Sequence, residues 1–594
     1  MTARGVRRLL LAGAALSLVG LAAQSPARDD VLMRAMRDEL ARSMQQLRLD
    51  TLPGPYFIAY RVDESHALSV AATRGGLVRS DERAHRRLTV ELRVGDYAFD
   101  NSNFFGASGG GAFAFGLRGF RGESELPLDD NYREVRRQLW LATDGAYKRA
   151  VQQLTQKRAA VLGQAHVDSL PDFTRESVVA IIDTATARPW SRAAAESLAR
   201  DLSAVLRNAP DIYASGVECS AAVQVTRYVN SEGTTFTRSA PTVTVQAQAE
   251  TQASDGAPLA DAFVLYGGTP NDLPAPTALA DSVRELGARL GRLRTATPGD
   301  DYSGPILFEG QAAVEVFNQV FAPTLIGTRR PLSDNPMFDA LMARAEDPTR
   351  VQVGGRALPR FLSATDNPTV TSFGGFFLGG YRVDDDGVAA RETRVVDHGV
   401  LKTLLTMRVP VRGILHSSGN RLGNGPVVTN LFVTADSGLS DQDLRRRLLQ
   451  LAAERGNAYG IVVRRVANPG LASFENPLAL IAAMRGSASG SPTLGATLAF
   501  KVFPDGHEEL IRNAEVSGIN AAAFKDIVAV AKTRTAYTLP FIGRRSLSFG
   551  PAFGGGYAAS YVVPSGVLFE EGSLARSAGN APRLPVVSPP WAAH

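Results

Sequence analysis

Apolar residues at helical spacing predict four helices in the N-terminal half of the chain. They recur every three or four positions, the spacing of one helical face, in four stretches: residues 29–49, 131–162, 191–206 and 281–293. In each stretch the opposite face carries charged and polar residues, as in a helix that packs on a core with one side only.

Alternating apolar and polar residues predict strands between these helices, at 56–62, 68–72 and 88–94. A further strand pair is predicted around Asn230-Ser231-Glu232-Gly233, because glycine supplies the positive φ that a tight hairpin turn needs.

The second half of the chain is richer in short strands and glycine turns, and the boundary is predicted at 297–301. One clear helix is predicted there, over 441–455, with Ser440 as its N-cap. We therefore predict an α+β protein with an α/β N-terminal domain, 28–296, followed by a β-rich C-terminal domain, 297–594.

The first residues have the layout of a secretory signal peptide. Residues 1–8 carry three arginines, and 9–23 form an apolar run that ends in small residues. A membrane anchor is the alternative, but this run is shorter than the ~20 residues that a spanning helix needs. We predict a signal peptide over 1–27, cleavage after residue 22 to 27, and a periplasmic mature protein. The Arg7-Arg8 pair leaves both the general secretory and the twin-arginine routes open.

Composition changes this picture little. The 594 residues are 44% hydrophobic and 21% charged, which is ordinary for a globular protein and excludes a disordered or fibrous chain. Three of the five surplus positive charges are Arg4, Arg7 and Arg8 in the leader, so no nucleic-acid partner is predicted. Cys219 is the single cysteine, which excludes an internal disulfide and a zinc ribbon.

Several short motifs have a simple structural interpretation. Residues 106–110 match the G-x-S-x-G pattern of a serine nucleophile, but they lie in a glycine-rich run with no helix pattern after it, so a loop is predicted. Asp384-Asp385-Asp386-Gly387 could suggest a cation site, but it lacks the spaced oxygens of a calcium loop, and a turn is predicted. His398, His416 and His507 are isolated in turn-like contexts, and no H-E-x-x-H occurs.

The richest constellation of chemical groups is the segment 304–315, an apolar strand that runs into a helix and carries Glu309 and Glu315. Six helical steps separate the two carboxylates by about 240° around a helix axis. They cannot share one helical face, so a two-carboxylate acid/base site is not predicted.

Six blocks of sequence resemble the TldD/TldE (PmbA) family of zinc-peptidase subunits, and they occur in the family's order. The blocks are SGPILFEGQAAVEVFNQVFAP (303–323), YRVDDDGVAARETRVVDHGVLKTLL (381–405), SSGNRL (417–422), VVTNLFVTADSGLSDQDL (427–444), FPDGHEELIRNAEVSGIN (503–520) and ASYVVPSGVLFEE (559–571). The N-terminal half is only loosely similar, mainly at VNSEGTTF (229–236).

The resemblance implies a degenerate zinc site. In catalytic TldD-type subunits, an H-E-x-x-x-H motif supplies two zinc-binding histidines and a general-base glutamate, and a later cysteine is a third ligand. Here Phe308 stands at the first histidine, Glu309 at the glutamate and Ala313 at the second histidine, and the C-terminal half has no cysteine. The chain is therefore similar to the TldE-type subunit, with no zinc of its own, and Glu309 is expected to survive for a structural reason such as capping or a hydrogen bond.

Three functions follow as hypotheses. The first is a non-catalytic subunit that pairs with a zinc-bearing TldD-type chain and encloses unfolded peptide substrates, with Phe308 and Glu315 as candidate peptide contacts. The second is a stand-alone hydrolase with a rebuilt site that uses Glu309, Glu315, His398 or His416. The third is a peptide-binding scaffold without catalysis. The apolar side chains of 306–320 also favour packing by Phe308 rather than ligand chemistry.

Overall fold

The structure is a computed structural model, and it describes residues 30–48, 52–106, 121–162, 169–182, 190–345, 350–471, 493–541 and 557–576. The predicted signal peptide, 1–27, and residues 107–110 of the G-x-S-x-G match lie outside the described residues. None of the described helices is long and apolar enough to cross a membrane.

All four helices predicted in the N-terminal part are present: α1 (Val31–Gln46), α2 (Tyr132–Leu162), α3 (Arg192–Ala204) and α4 (Pro276–Thr295). The Asp30 carboxylate caps α1 by accepting the N–H groups of Leu32 and Met33. Helix α4 begins five residues before the predicted start, because Pro276 occupies its first turn, where the missing N–H costs nothing.

The N-terminal strands are β1 (Pro55–Thr73), β2 (Gly76–Val94), β3 (Phe104–Phe105), β4 (Arg121–Glu125), β5 (Ala180–Ile182), β6 (Ala214–Asn230), β7 (Thr235–Gln252) and β8 (Pro258–Gly267). One sheet has the order β4-β2-β1-β6-β7-β5, with β8 also paired to β7. The hairpin predicted at Asn230–Gly233 is confirmed as the β6–β7 turn.

The three short strands predicted before residue 95 are wrong in extent, because β1 and β2 form one hairpin of two 19-residue strands. The apolar alternation fades over 63–67 and 77–87, where much of the hairpin is open to solvent. Strand pairing therefore continues beyond the alternation.

The four helices cover one face of this sheet. Helices α1 and α2 pack on Tyr60 and Val90, and α3 and α4 pack on Val70 and Val245. The apolar positions that predicted the helices are thus the positions that build the N-terminal core.

The C-terminal part is richer in strands, and the α+β class is confirmed. Its elements are β9 (Thr297–Pro298), β10 (Tyr302–Glu309), α5 (Gln311–Val316), β11 (Leu332–Ser333), α6 (Pro336–Ala345), β12 (Leu362–Asp366), β13 (Ser372–Phe373), β14 (Phe376–Phe377), β15 (Thr393–Asp397), β16 (Val400–Leu401), β17 (Arg421–Leu422), β18 (Gly425–Pro426), β19 (Asn430–Ala435), α7 (Asp441–Glu454), β20 (Gly460–Val466), β21 (Leu494–Val502), β22 (Glu508–Arg512), β23 (Ala514–Ser517), β24 (Ile527–Val530), β25 (Arg534–Pro540), β26 (Ala558–Pro564) and β27 (Gly566–Arg576). Helix α7 has the predicted cap, since the Ser440 hydroxyl accepts the N–H of Asp443.

Five of these strands close on themselves. The pairings run β10–β20–β21–β23–β27 and return to β10. A second sheet has the order β16-β15-β12-β19-β26-β25. The largest apolar core lies between the ring and this sheet and contains α5, while α7 packs on the outside of the ring over Leu307.

Candidate functional site

The segment that carries the degenerate motif is a strand that enters the ring and turns at once into a helix. Strand β10 pairs with β20 and β27, and its end is fixed by the Gly310 N–H, which donates to the Ser565 carbonyl at 2.7 Å. Gly310 has φ of 59°, in the left-handed region that favours glycine. Helix α5 starts directly after it and continues into a π-helical turn at Phe317–Phe321.

The two positions that correspond to the family's histidines are filled by packing. Phe308 and Ala313 each have 0% of their surface exposed. The Phe308 ring lies edge-to-face on Phe569, with ring centroids 5.6 Å apart. Phe524 contacts the same Phe569 ring at 5.3 Å and stacks on Phe321. The packing predicted for Phe308 from its apolar neighbours agrees with this placement.

Glu309 lies on the other face of the strand. Successive side chains of a strand point to opposite sides, and Glu309 shares its side with Leu307, which packs against α7. The Arg445 guanidinium donates to both Glu309 oxygens, at 2.9 and 3.0 Å, and Arg464 donates to Oε2 at 3.1 Å. Glu309 therefore has a structural role, as expected, and that role is to form ion pairs with Arg445 and Arg464.

A second carboxylate completes this cluster. Arg464 donates to Glu508 at 2.9 and 2.6 Å, and Arg445 approaches Glu508 at 3.4 Å. We call these four side chains, Glu309, Arg445, Arg464 and Glu508, the ionic quartet. The hydrogen bond to Glu309 raises the pKa of Arg445. Both oxygens of Glu309 are therefore occupied by guanidinium donors, which does not favour contact with a water that it would deprotonate.

Glu315 has different surroundings. It is fully buried in α5, and its oxygens accept hydrogen bonds from the side-chain amides of Gln311, Asn318, Gln319 and Asn468. Burial raises the pKa of Glu315, although three of these amides act in the opposite direction. Glu309 and Glu315 share no hydrogen-bond partner among the described residues. The helical angle of about 240° does not apply to them, because Glu309 ends strand β10 and only Glu315 lies in helix α5.

The suggested peptide contacts do not agree with this burial. Both Phe308 and Glu315 have 0% exposed surface, so neither side chain can touch a peptide in this conformation. The reason is that α5 lies inside the largest core and not along a cleft.

The histidines of the rebuilt-hydrolase hypothesis lie apart from the segment. The His398 side chain is 63% exposed beside Asp397 and Asp436, and that of His416 is 71% exposed beside Glu176. His507 stacks on Phe503 in the turn before β22. Within the described residues, neither His398 nor His416 shares a partner with Glu309 or Glu315.

The donor set does not fit zinc. A zinc site needs about three protein ligands, whereas the motif positions supply Phe308, Ala313 and a Glu309 already bound to two arginines. Across the described ranges, no group of three His, Cys, Asp or Glu side chains could hold a metal ion. Cys219, the family's ligand type, is buried in β6 of the N-terminal sheet.

The residues that sequence reasoning missed are the partners of Glu309. Arg464 belongs to an Arg-Arg pair in the otherwise apolar strand β20, and Glu508 to the Glu-Glu pair that opens β22. Charged residues in an apolar strand are a usable signal, but the sequence does not show which charges meet.

The Asp384–Asp386 turn is a second charged site, where the two parts of the chain meet. The predicted turn is confirmed, since Gly387 has φ of 77° and its N–H donates to the Asp384 carbonyl. Its burial was not predicted, and the side chains that neutralise it are arginines. Asp385 accepts from Arg61 and Arg238, both at 2.7 Å and both from the N-terminal sheet.

The three aspartates of this turn are held differently. Asp384 accepts the N–H groups of Asp386, Val388 and Arg421, and burial raises its pKa well above the ordinary value. Burial also acts to raise the pKa of Asp385, but Arg61 and Arg238 outweigh it, and the pKa is lowered. Asp386 pairs with Arg421.

One region of the chain matches a known family. Residues 303–571 match the PmbA/TldA metallopeptidase C-terminal domain. No curated protein sequence matches the chain.

Similar crystal structures cover nearly the whole chain. A Thermotoga maritima protein, described as a candidate modulator of a DNA gyrase, is 15% identical with a TM-score of 0.57, covering 91% of this chain and 99% of that one. TldE from Thermococcus kodakarensis is 12% identical with a TM-score of 0.54, covering 91% and 100%. A candidate DNA gyrase modulator from Bacteroides thetaiotaomicron is 12% identical with a TM-score of 0.57, covering 92% and 98%. At these identities the three structures show a shared fold.

Proposed function

Because this chain belongs to the TldD/TldE family through residues 303–571, we propose that it is the non-catalytic, TldE-like subunit of an exported zinc-metallopeptidase assembly. In this proposal a TldD-type partner supplies the zinc and its ligands. The assembly acts on unfolded peptides, and the present chain supplies part of the enclosure around them.

The observation that carries the proposal is the separation of the motif's own residues. Phe308 points into the apolar core, while Glu309 points to the opposite face and binds Arg445 and Arg464. A general base must lie within hydrogen-bond reach of the water it deprotonates. Glu309 lies on one face, whereas Phe308 and Ala313 are packed in the core on the other. This separation does not favour a water held next to Glu309.

The hydrolase hypothesis has less support. Its four candidate residues lie in different places. Glu309 belongs to the ionic quartet, Glu315 is buried among side-chain amides, and His398 and His416 are exposed. The scaffold hypothesis differs from the first only in lacking a catalytic partner, so it becomes an outcome of the same experiment.

Co-purification from the native cell envelope, followed by metal analysis, tests the proposal. We expect the mature chain to elute with a second chain that contains H-E-x-x-x-H, and zinc to follow that second chain after separation. Elution alone, with neither zinc nor peptidase activity, would support the scaffold. Zinc and activity that stay with the isolated chain, and are lost in Glu309→Gln, would support the hydrolase.

Export has a separate test. We expect N-terminal sequencing of the envelope fraction to give a first residue between Ala23 and Arg28. An intact Met1 on cytoplasmic protein would contradict this part of the proposal.

A further inference from the structure

Helices α1 and α2 concentrate positive charge on one part of the molecule. Only two of the chain's five surplus positive charges remain once Arg4, Arg7 and Arg8 of the leader are left out. Apart from the buried Lys157, which pairs with Asp172, these two helices carry nine arginine and lysine side chains and four carboxylates. Charge that is segregated in this way creates a local positive potential on a protein of low net charge.

The loop before α2 does not cancel this surplus. It brings two further carboxylates, Asp129 and Asp130, and Asp130 pairs with Arg86 of β2 at 3.1 Å. Even when both are counted, nine cations face six carboxylates in this part of the chain. A partner for this surface should therefore be anionic.

Three arginines of α2 are exposed and have no carboxylate partner in the part of the chain that the structure describes: Arg133, Arg149 and Arg158. Arg137 and Lys148 are paired with carboxylates of the same helix, with N–O distances of 2.7 and 2.6 Å. Water screens such exposed pairs, so a second anionic group can compete for these two cations as well.

The outer face of α2 also carries apolar side chains. At 100° per residue, five exposed residues share an arc of about 100°: Arg133, Arg137, Trp140, Leu141 and Lys148. The residues that pack on the sheet lie on the opposite side of the helix. Trp140 is 46% exposed and Leu141 is 42% exposed. The helix thus presents an adjacent tryptophan and leucine in the middle of a basic row.

This combination favours a lipid surface over a nucleic acid. An anionic bilayer offers negative headgroups to the arginines and, directly below them, an apolar layer to Trp140 and Leu141. Tryptophan is enriched at this boundary because its ring is apolar and its N–H is polar. A nucleic acid would attract the same arginines through its phosphates, but its phosphate surface has no apolar layer. Helix α2 has 31 residues, about 46 Å, and so presents a long row to a planar partner.

We propose that the outer face of α1 and α2 docks on an anionic phospholipid surface. Trp140 and Leu141 insert among the headgroups, and Arg133 and Arg158 lie beside lipid phosphates. The two helices lie along the surface, and the sheet behind them stays in water. The proposal does not depend on a peptidase partner.

Flotation of the mature chain with lipid vesicles tests this. One set of vesicles contains phosphatidylcholine alone, and the other contains about one third phosphatidylglycerol, which is anionic. We expect binding to the anionic vesicles only, and at least about tenfold weaker binding when the salt rises from about 0.05 M to about 0.5 M. Absence of binding to the anionic vesicles, or equal binding to both kinds, would overturn the proposal.

Three variants locate the binding. Arg133→Gln combined with Arg158→Gln should weaken it by at least about tenfold, because each basic residue near an anionic surface contributes about fivefold. Trp140→Ser should weaken it by about fivefold or more, because the inserted ring is lost. Arg83→Gln is the matched control, since the Arg83 side chain is 80% exposed but lies in β2, outside both helices. It should bind like the wild type.

Two results would refute this docking face. Binding that is unchanged in both helix variants would place it elsewhere on the molecule. Binding that is insensitive to Trp140→Ser and is abolished by a short DNA duplex as competitor would indicate attraction to any polyanion, with a nucleic acid as the better candidate. Thermal melts check that each variant is folded, and we expect unchanged melting temperatures because the substituted side chains are exposed.

Discussion

The motif segment and the Asp384–Asp386 turn both place carboxylates against arginines, but at different depths. In the ionic quartet, the side chains of Glu309 and Arg445 are 18% and 38% exposed. In the turn, those of Asp385 and Arg61 are 7% and 15% exposed. Water screens the charges of the ionic quartet and is largely absent from those of the Asp384–Asp386 turn. Ion pairs of the same kind should therefore contribute differently to stability in the two places. The motif segment is stabilised by the packing of Phe308, and the turn by buried charge.

The largest loss of stability is expected when Phe308 is truncated. Compared with substitution of Glu309, it distinguishes the contribution of packing from that of charge within the motif segment. Phe308→Ala should lower the free energy of unfolding by about 3–5 kcal/mol, because it opens a cavity among Phe569 and its neighbours. Thermal and urea melts measure it. Phe308→Leu is the control and should cost much less, since it keeps most of the volume. An unchanged melting temperature in Phe308→Ala would show that the ring is not part of the core.

Asp385→Ala should lower the free energy of unfolding by about 3 kcal/mol or more, because it leaves Arg61 and Arg238 buried without their shared anion. Urea unfolding at neutral pH measures it. The pKa of Asp385 is lowered in the folded protein. Its contribution is therefore present above the ordinary aspartate pKa of about 4 and is lost as the pH falls further. Asp397→Ala, at the end of β15 where the carboxylate is partly exposed, is the matched control. An equal effect of the two substitutions would contradict the buried role of Asp385.

Asp366, at the end of β12, is a buried carboxylate whose charge is not balanced by an arginine among the described residues. It is fully buried and accepts from the Asn420 amide and from the N–H groups of Thr429 and Asn430, and burial raises its pKa to about 7. A raised pKa means that stability is greatest at low pH and falls as the pH rises toward 7, by about 1.4 kcal/mol per pH unit. The comparison is between wild type and Asp366→Asn, unfolded in urea at pH 5 and pH 7. We expect Asp366→Asn to lose this part of the pH dependence, and identical slopes would refute it.

The smallest effect is expected in the ionic quartet. Glu309→Gln should lower the free energy of unfolding by less than about 1 kcal/mol, because partly exposed ion pairs contribute little. Glu508→Gln is its matched control within the same cluster and should behave alike. A loss as large as that of Asp385→Ala would show that the quartet is as important to stability as the turn.

Sequence patterns predicted the features that depend on neighbours in the chain. The four N-terminal helices, the Asn230–Gly233 hairpin and the Ser440 cap arise from local spacing and local hydrogen bonds. The packing of Phe308 was predictable too, since the residues around it are almost all apolar.

The sequence could not show contacts between distant residues. Arg445 and Arg464 lie 136 and 155 positions from Glu309, and Arg61 lies 324 positions from Asp385. Closure of the ring, which buries Glu315 and Phe308, also depends on pairings between β10, β20 and β27. Burial of the Asp384–Asp386 turn was missed for the same reason, because a run of aspartates before glycine is usually an exposed turn.

The zinc content of the isolated mature chain tests the central claim most directly. The chain would be incubated with excess zinc, desalted and measured by metal analysis, beside a Glu309→Ala variant. We expect far less than one zinc per chain in both proteins, because a zinc site needs about three ligands and the motif offers only Glu309. One tightly held zinc per chain in the wild type, lost in Glu309→Ala, would contradict the account.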